Sequence, residues 1–341
     1  MARTRRRRKS TSIQPTQLNL CYQLAQGINY IDLAKDLSAV NRRLYRQGMN
    51  YAVANIQMFF DGAGQADYLN RTITCRIATA PNTWMVHNAW KKGFTCWNRQ
   101  QKDALEALNC GPGGATHARP KYADFKVALD AAHIQLDGGS GDQDMSLDVR
   151  AGDFSATVTP DEWKVASLFW EDDGGVARSP LIHLLGQIAS TQVDYVGLVE
   201  NYGDSRPGVL SIGAPELPAD ASDSIYARMH ATEDVSDAII ANIEGDNDQA
   251  PYDADSYAGG AGISSIPMPV AQMAMNLANP TANSGGFIAP CGLIQLNMDN
   301  WDDPQAVAGD DLVDSGQASA KCIITLVPGN YRGVMAQKMG Q

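Results

Sequence analysis

The hydrophobic pattern of the chain is helical over residues 30–47 and alternating in the two stretches that follow. Four apolar residues recur at helical spacing and form one stripe, namely Leu33, Leu37, Val40 and Leu44. Asn29 fits an N-cap with Asp32 at the third helical position, and Gly48 fits the residue that follows a helix end. The pattern therefore predicts a helix from Tyr30 to Gln47.

Two alternating stretches, "YAVANIQMFF" at 51–60 and "LNRTITCRIA" at 69–78, predict half-buried strands. The predicted inward face of the first comprises Ala52, Ala54, Ile56, Met58 and Phe60, and that of the second comprises Leu69, Ile73, Cys75 and Ile77. Further strands are predicted near 123–130, 144–150, 153–159, 164–170, 193–200, 286–298 and 318–327. Alternation of this kind is typical of antiparallel sheets.

Helical spacing returns at 84–108 and, in a shorter form, at 232–244. The longer segment carries Trp90, Phe94 and Trp97 on one face, which favours packing in a core, with base stacking as the alternative. Many short strands, long irregular connections and no strand-helix repeat predict an all-β fold. We expect a jelly-roll β-sandwich with helical insertions, the main one near 84–108.

Composition adds a division of charge along the chain. The 341 residues are 44% apolar, enough to bury a sizeable core. Residues 1–126 carry 19 Lys and Arg against 7 Asp and Glu, a net of +12, whereas residues 127–341 carry 8 against 31, a net of −23. The opening "MARTRRRRKS" holds six of the positive charges, and such a segment cannot fold alone because like charges repel. We expect a disordered basic arm at 1–29 and a folded domain at 30–341.

The chemistry of the arm points to phosphates, because each Lys or Arg that replaces a condensed counterion releases that ion to solution. The arm has no interleaved aromatic residues for stacking, so this binding would not read base sequence. The predicted contacts are Arg3, Arg5, Arg6, Arg7, Arg8 and Lys9, with Arg42, Arg43 and Arg46 on the predicted helix as a second set. A nuclear-localisation signal or a mitochondrial presequence is the alternative for the arm, and a solvated face paired with Asp32 and Asp36 is the alternative for the second set.

Catalytic chemistry is not signalled. The sequence contains no phosphate-binding loop, no H-E-x-x-H zinc motif and no nucleophile elbow. The histidines and cysteines lack the spacing of metal ligands or of a disulfide framework, and no apolar run is long enough to cross a membrane. Two acidic segments, 244–255 and 299–314, could hold Ca²⁺, although solvated loops are the preferred interpretation. We therefore expect no enzyme activity, no cofactor and no metal.

The polyarginine start, the segment "YIDLAKDLSAVNRRLYRQGMNYAVANIQ" and the all-β-looking remainder resemble the capsid proteins of small circular Rep-encoding single-stranded DNA viruses. The resemblance is most specific between Tyr30 and Gln57. It implies a jelly-roll subunit that self-assembles into an icosahedral shell and packages single-stranded DNA through an inward-facing arm. It also implies nuclear import by the same arm.

The expected partners are further copies of the chain and a single-stranded DNA genome bound without regard to sequence, with no membrane partner. The expected locations are the virion and, during assembly, the host nucleus. The alternative is a nucleic-acid-processing or accessory protein whose basic tail tethers it to a substrate.

Overall fold

The structure is a computed structural model, and it describes residues 15–24, 27–61, 72–109, 124–135, 163–171, 177–186, 195–204, 267–276, 278–299 and 319–340. The helices in these ranges are α1 (Leu33–Asn41), α2 (Trp84–Asn109), α3 (Ala131–Gln135) and α4 (Leu198–Asp204). The strands are β1 (Asn19–Leu24), β2 (Gly27–Asp32), β3 (Met49–Asp61), β4 (Thr72–Thr79), β5 (Trp170–Glu171), β6 (Ala177–Arg178), β7 (Leu181–His183), β8 (Tyr195–Gly197), β9 (Met268–Asn276), β10 (Thr281–Asn283), β11 (Phe287–Pro290), β12 (Leu293–Asp299), β13 (Ser319–Leu326), β14 (Pro328–Gly329), β15 (Gly333–Val334) and β16 (Ala336–Lys338).

Two antiparallel sheets carry the fold and confirm the expected all-β sandwich. Sheet A has the strand order β1-β13-β3-β10, with β11 and β16 also paired to β3, and sheet B has the order β2-β12-β4-β9. The antiparallel pairs are nested along the chain: β1 pairs with β13, β2 with β12, β3 with β10, and β4 with β9. Strands that are far apart in sequence therefore lie side by side.

The apolar side chains form two separate cores. The sandwich core lies between the sheets and includes Ile56 of β3, Ile77 of β4 and Ile324 of β13. The insertion core is built mainly from residues between β4 and β9, including Phe125 and Leu198. Each buried aliphatic or aromatic side chain of this size stabilises the fold by about 1.5–3 kcal/mol. The predicted helical insertion thus has a core of its own.

The predicted helix over 30–47 is too long at both ends. Tyr30 lies in the insertion core and Ile31 in the sandwich core, so β2 is buried on both faces and pairs with β12 instead of continuing the helical pattern. Helix α1 begins after Asp32, which is the observed N-cap in place of Asn29, and it ends at Arg42, which adopts a left-handed conformation. Tertiary pairing has overridden local helical spacing here.

The strand predicted at 51–60 is confirmed as part of β3, but its predicted inward face is wrong in its first half. Ile56 and Met58 are buried as expected. In the first half of the strand, however, Tyr51 and Val53 are buried and Ala54 is exposed. The pairing with β13 skips one residue of β3 between Asn55 and Val53. This β-bulge reverses the alternation of the strand.

Several other predicted elements are confirmed. The strand predicted at 69–78 is observed as β4, from Thr72 to Thr79, with Ile73, Cys75 and Ile77 buried. Residues 84–108 form α2, and residues 318–327 contain β13. The stretch 286–298 is two strands, β11 and β12, joined by a turn at Cys291 and Gly292.

Other predicted strands are wrong. The described part of 123–130 makes one isolated bridge, at Ala128, and the described part of 164–170 makes another at Ser167 before β5. The stretch 193–200 divides into β8 and the start of α4. The predicted strands at 144–150 and 153–159, the predicted helix at 232–244 and Leu69 lie outside the described residues.

The boundary predicted at residue 29 also needs correction. Strand β1 pairs with β13 from Asn19 to Leu24, and β2 begins at Gly27. Part of the expected arm therefore belongs to the sandwich. Residues 1–14, which include the six basic residues, lie outside the described residues.

One buried carboxylate, Asp32, links three parts of the fold. Its Oδ1 accepts hydrogen bonds from the backbone N of Ala34 (2.9 Å) and Lys35 (3.1 Å), which caps α1. Its Oδ2 accepts from Gln47 Nε2 (2.6 Å) and Trp163 Nε1 (2.8 Å). These four partners are all donors, an arrangement that an ionised carboxylate satisfies and an amide does not.

We expect Asp32→Asn to lower the free energy of unfolding by about 2 kcal/mol, because one amide group would face two donors in a buried place. Gln47 cannot rotate to help, since its Oε1 accepts from the backbone N of Val127 at 2.6 Å. Urea unfolding measures the change. The control, Asp103→Asn on exposed α2, should change it by less than about 0.5 kcal/mol; equal effects of the two variants would contradict the assignment.

A second buried group, His183 in β7, gives the fold a dependence on pH. The ring is fully buried, its Nδ1 lies 2.6 Å from the carbonyl O of Leu185, and its Nε2 has no hydrogen-bond partner within the described residues. Burial lowers the pKa of His183 from its ordinary value of 6.5 to about 4, against the opposing effect of the Leu185 carbonyl. The ring is therefore neutral in the folded protein over a range where it is charged in the unfolded chain.

The contribution of neutral His183 to stability should be fully present above pH 6.5 and should be lost as the pH falls to about 4. The loss amounts to about 3 kcal/mol at most. We expect His183→Asn, which can keep a donor toward Leu185, to make the free energy of unfolding less dependent on pH between these values. Parallel curves for the variant and the original protein would show that His183 does not carry this dependence.

Candidate nucleic-acid interface

The segment that leads the arm into the sandwich is held in place by hydrogen bonds. Thr16 Oγ1 donates to the carbonyl O of Arg332 at 3.0 Å, and Gln17 N donates to Asn41 Oδ1 at 2.8 Å. The backbone N of Leu326 donates to the carbonyl O of Leu18, also at 3.0 Å. The point at which the basic arm joins the folded domain, which we call the arm root (residues 15–18), is therefore fixed.

Three arginines of the second predicted set lie in the loop after α1, not on the helix. Arg42 is exposed with a φ of 54°, Arg43 is half-buried, and Arg46 is exposed and forms an ion pair with Asp124 at 3.1 Å. Tyr45 N donates to Ser38 Oγ at 2.7 Å, which folds this loop back onto the helix. The loop leaves from Asn41, the residue that also holds the arm root.

A fourth arginine reaches the same place from the other end of the sequence. Arg332 lies in the turn between β14 and β15, is exposed, and donates through Nη1 to the carbonyl O of Leu44. Its own carbonyl accepts from Tyr45 Oη at 2.8 Å, and Tyr331 Oη accepts from Arg46 N at 3.2 Å. We call Arg42, Arg43, Arg46 and Arg332 the arginine corner.

Tyr45 lies close enough to Arg43 and Arg332 for their charges to affect the pKa of its hydroxyl. Burial raises the pKa of the Tyr45 hydroxyl, while its contact with Thr16 and the positive charges of Arg43 and Arg332 oppose that rise. For Arg42, Arg43 and Arg46, the alternative pairing with Asp32 and Asp36 is not seen among the described residues. Asp32 caps α1, and Asp36 accepts from Tyr22 Oη at 2.6 Å inside the domain. In the described part of the chain, Arg46 alone among the four has a carboxylate partner.

Three aromatic residues of α2, Trp90, Phe94 and Trp97, pack in or against the insertion core. Trp90 and Phe94 stack at 5.2 Å between ring centroids, and both contact Phe125, at 5.7 and 6.0 Å. Trp97 contacts Phe125 as well, at 5.8 Å. The interpretation of this stripe as core is confirmed.

Another polar cluster is a structural junction. Asp130 accepts from Tyr30 Oη at 2.8 Å, from His133 N at 2.8 Å and from Gln295 Nε2 at 3.3 Å, and Tyr30 stacks on the His133 ring at 4.3 Å. Burial raises the pKa of Asp130, against the hydrogen bonds that it accepts from His133 and Tyr30. The cluster attaches the insertion to β2 and β12. Among the described residues, no three His, Cys, Asp or Glu side chains are grouped to hold a metal ion.

The sequence predicts Arg42, Arg43 and Arg46 as contacts but gives no signal that places Arg332 beside them. The local sequence "PGNYRGV" signals a turn and nothing more, and the contact between Tyr45 and Arg332 spans 287 positions. The predicted contacts of the arm, Arg3 to Lys9, lie outside the described residues, as do the acidic segments except Asp299.

No known protein family, curated protein or solved structure matches the chain. In the described residues, no helix is long and apolar enough to cross a membrane.

The close packing of the arm root against the 328–334 turn should depend on Gly333. Its φ is 99°, and a Cβ placed there would lie 2.1 Å from Thr16 Oγ1. We expect Gly333→Ala to lower the free energy of unfolding by about 1–3 kcal/mol, through backbone strain and displacement of the arm root. Thermal and urea unfolding measure it.

Gly285→Ala is the matched control, because a Cβ at Gly285 meets nothing within 4 Å and its φ is not positive. A Gly333 variant as stable as the Gly285 variant would show that the contact of Thr16 with the turn is not tight in solution.

Proposed function

We propose that the protein is a viral capsid protein that self-assembles into an icosahedral shell and encloses single-stranded DNA. The observation that carries the proposal is the fixed arm root beside the arginine corner. Thr16 and Gln17 hold the arm root against Arg332 and Asn41, so the chain that carries the six basic residues enters the folded domain beside the arginine corner. Arm and corner both supply Lys or Arg charges that can neutralise phosphates.

The sandwich is proposed to be a jelly roll. Taking the eight main strands in chain order, with β10 as the sixth, sheet A reads 1-8-3-6 and sheet B reads 2-7-4-5. Nested antiparallel pairs of this kind arise when one long hairpin rolls into two sheets. The order supports a double-sheet jelly roll, an architecture that viral capsid domains use.

The division of charge supports enclosure of a polyanion over binding along a whole surface. Residues 127–341 carry a net charge of −23, which disfavours contact of that part of the chain with phosphates. A basic arm on an acidic body suits a subunit that presents one side to nucleic acid. The arm has no aromatic residue among Arg3 to Lys9, so the proposed contacts neutralise the DNA backbone without reading its sequence. The proposed locations are the virion and, during assembly, the host nucleus.

We expect the full chain to form closed particles and a chain lacking residues 2–9 to form the same particles without DNA. The deletion removes six charges and should reduce the slope of log K against log salt for single-stranded DNA by roughly 4. Electron microscopy gives the particle size, and the absorbance ratio of purified particles at nucleic-acid and protein wavelengths gives the DNA content.

Two results would count against the proposal. A full chain that stays monomeric or dimeric at high concentration would remove the shell and favour a tethered accessory protein. A truncated chain that still encloses the normal amount of DNA would remove the packaging role of the arm. Circular dichroism of the truncated chain serves as the control for folding.

A further inference from the structure

Two members of the arginine corner occupy backbone positions that favour glycine or asparagine. Arg42 has a φ of 54° and Arg332 a φ of 51°, both in the left-handed region. A helix end with the conformation of Arg42 is most often formed by glycine. The chain thus carries arginine in two places where its backbone is strained, and strain of this kind is commonly associated with a functional role.

The corner also has hydrogen-bonding capacity that the protein does not use. Nη1 of Arg43 is shielded from solvent and has no hydrogen-bond partner within the described residues. A charged donor without an acceptor is unfavourable, and rotation of this half-buried side chain would bring it to an incoming oxygen. The contact of Arg332 with Leu44 engages one of its guanidinium nitrogens, which leaves further donors on the same group.

The geometry of Tyr331 holds these groups together. Its ring makes edge contacts with Tyr45 at 5.9 Å and Tyr51 at 6.3 Å between centroids, and the Arg332 guanidinium lies over it at 5.9 Å. Its hydroxyl accepts from Arg46 N. The turn carrying Arg332 is therefore packed against the loop carrying the other arginines, so the corner is a folded site.

We propose that the arginine corner is a phosphodiester-binding site, with Arg332 as a binding residue alongside Arg42 and Arg43. Guanidinium groups bind phosphate oxygens in a bidentate manner, and three of the four have no carboxylate partner within the described residues. The site rests on the proposed function for the identity of its ligand, a single-stranded nucleic acid. It binds the strand at the arm root, a fixed place on each subunit, whereas the arm provides contacts of its own.

The test measures binding of a short oligothymidylate to the full chain over a range of salt concentrations. We expect the triple variant R42Q/R43Q/R332Q to reduce the slope of log K against log salt by roughly 2, at about 0.7 for each charge removed. The control variant R76Q/R99Q/K102Q removes three exposed charges from β4 and α2, which are not members of the corner, and should leave the slope unchanged. Equal reductions in the two variants would overturn the proposal.

Two further variants keep the test independent of folding. R42K/R43K/R332K retains the charges and should keep the original slope with weaker binding, because lysine is not bidentate. R42Q alone changes an exposed side chain without a hydrogen bond in the described residues, and should reduce the slope by roughly 0.7. An unchanged slope for R42Q would also overturn the proposal.

Failure of the proposed function and failure of the phosphodiester site give different results. If the chain forms no particles but the corner variants lose binding and the control does not, the phosphodiester site stands without the shell. If particles form and package DNA while the corner variants bind oligothymidylate with the original slope, the shell stands without the site.

Discussion

The hydrogen bonds of the buried Asp32 carboxylate connect the sandwich, the first helix and the loop of arginines. Its Oδ1 caps the start of α1, directly after β2. Its Oδ2 accepts a hydrogen bond from Gln47, at the far end of the loop. Gln47 in turn accepts from Val127, so the same network reaches the insertion. Residues 42–46 are thereby held at both ends, at Asn41 by the arm root and at Gln47 by the buried Asp32 carboxylate. Polar networks that are fully satisfied in this way give a unique local structure.

Much of the sandwich could be predicted from local sequence, because its strands alternate cleanly where one face is solvated. Strands β4 and β13 and helix α2 follow from pattern alone. The prediction failed where a strand is buried on two sides. Tyr30 and Ile31 face different cores, so apolar residues are adjacent in β2 and imitate the start of a helix. It failed again at Ala54, since no local signal distinguishes a bulge that is created by the partner strand.

The arginine corner could be predicted only in part, for a different physical reason. The arginines at 42, 43 and 46 are visible as a cluster in the sequence, but the predicted helix would have spread them along a face with acidic neighbours. The left-handed residue at Arg42 ends the helix early and sends them into a loop. Arg332 could not be included, because its place is decided by the nesting of strands and not by any feature near it in sequence. The strand order thus brings Arg332 next to the loop that carries the other three arginines.

The nesting of the strands also has a consequence for the order of events during synthesis. Strand β1 pairs with β13, and Thr16 is held by a residue 316 positions later. Contacts of such sequence separation form slowly, since the loop must close before any pairing compensates for the lost entropy. A chain still on the ribosome has its arm but neither the partner of β1 nor Arg332. The corner is therefore completed only after β13 and the turn beyond it have been made, which separates synthesis of the basic arm in time from assembly of the folded surface beside it.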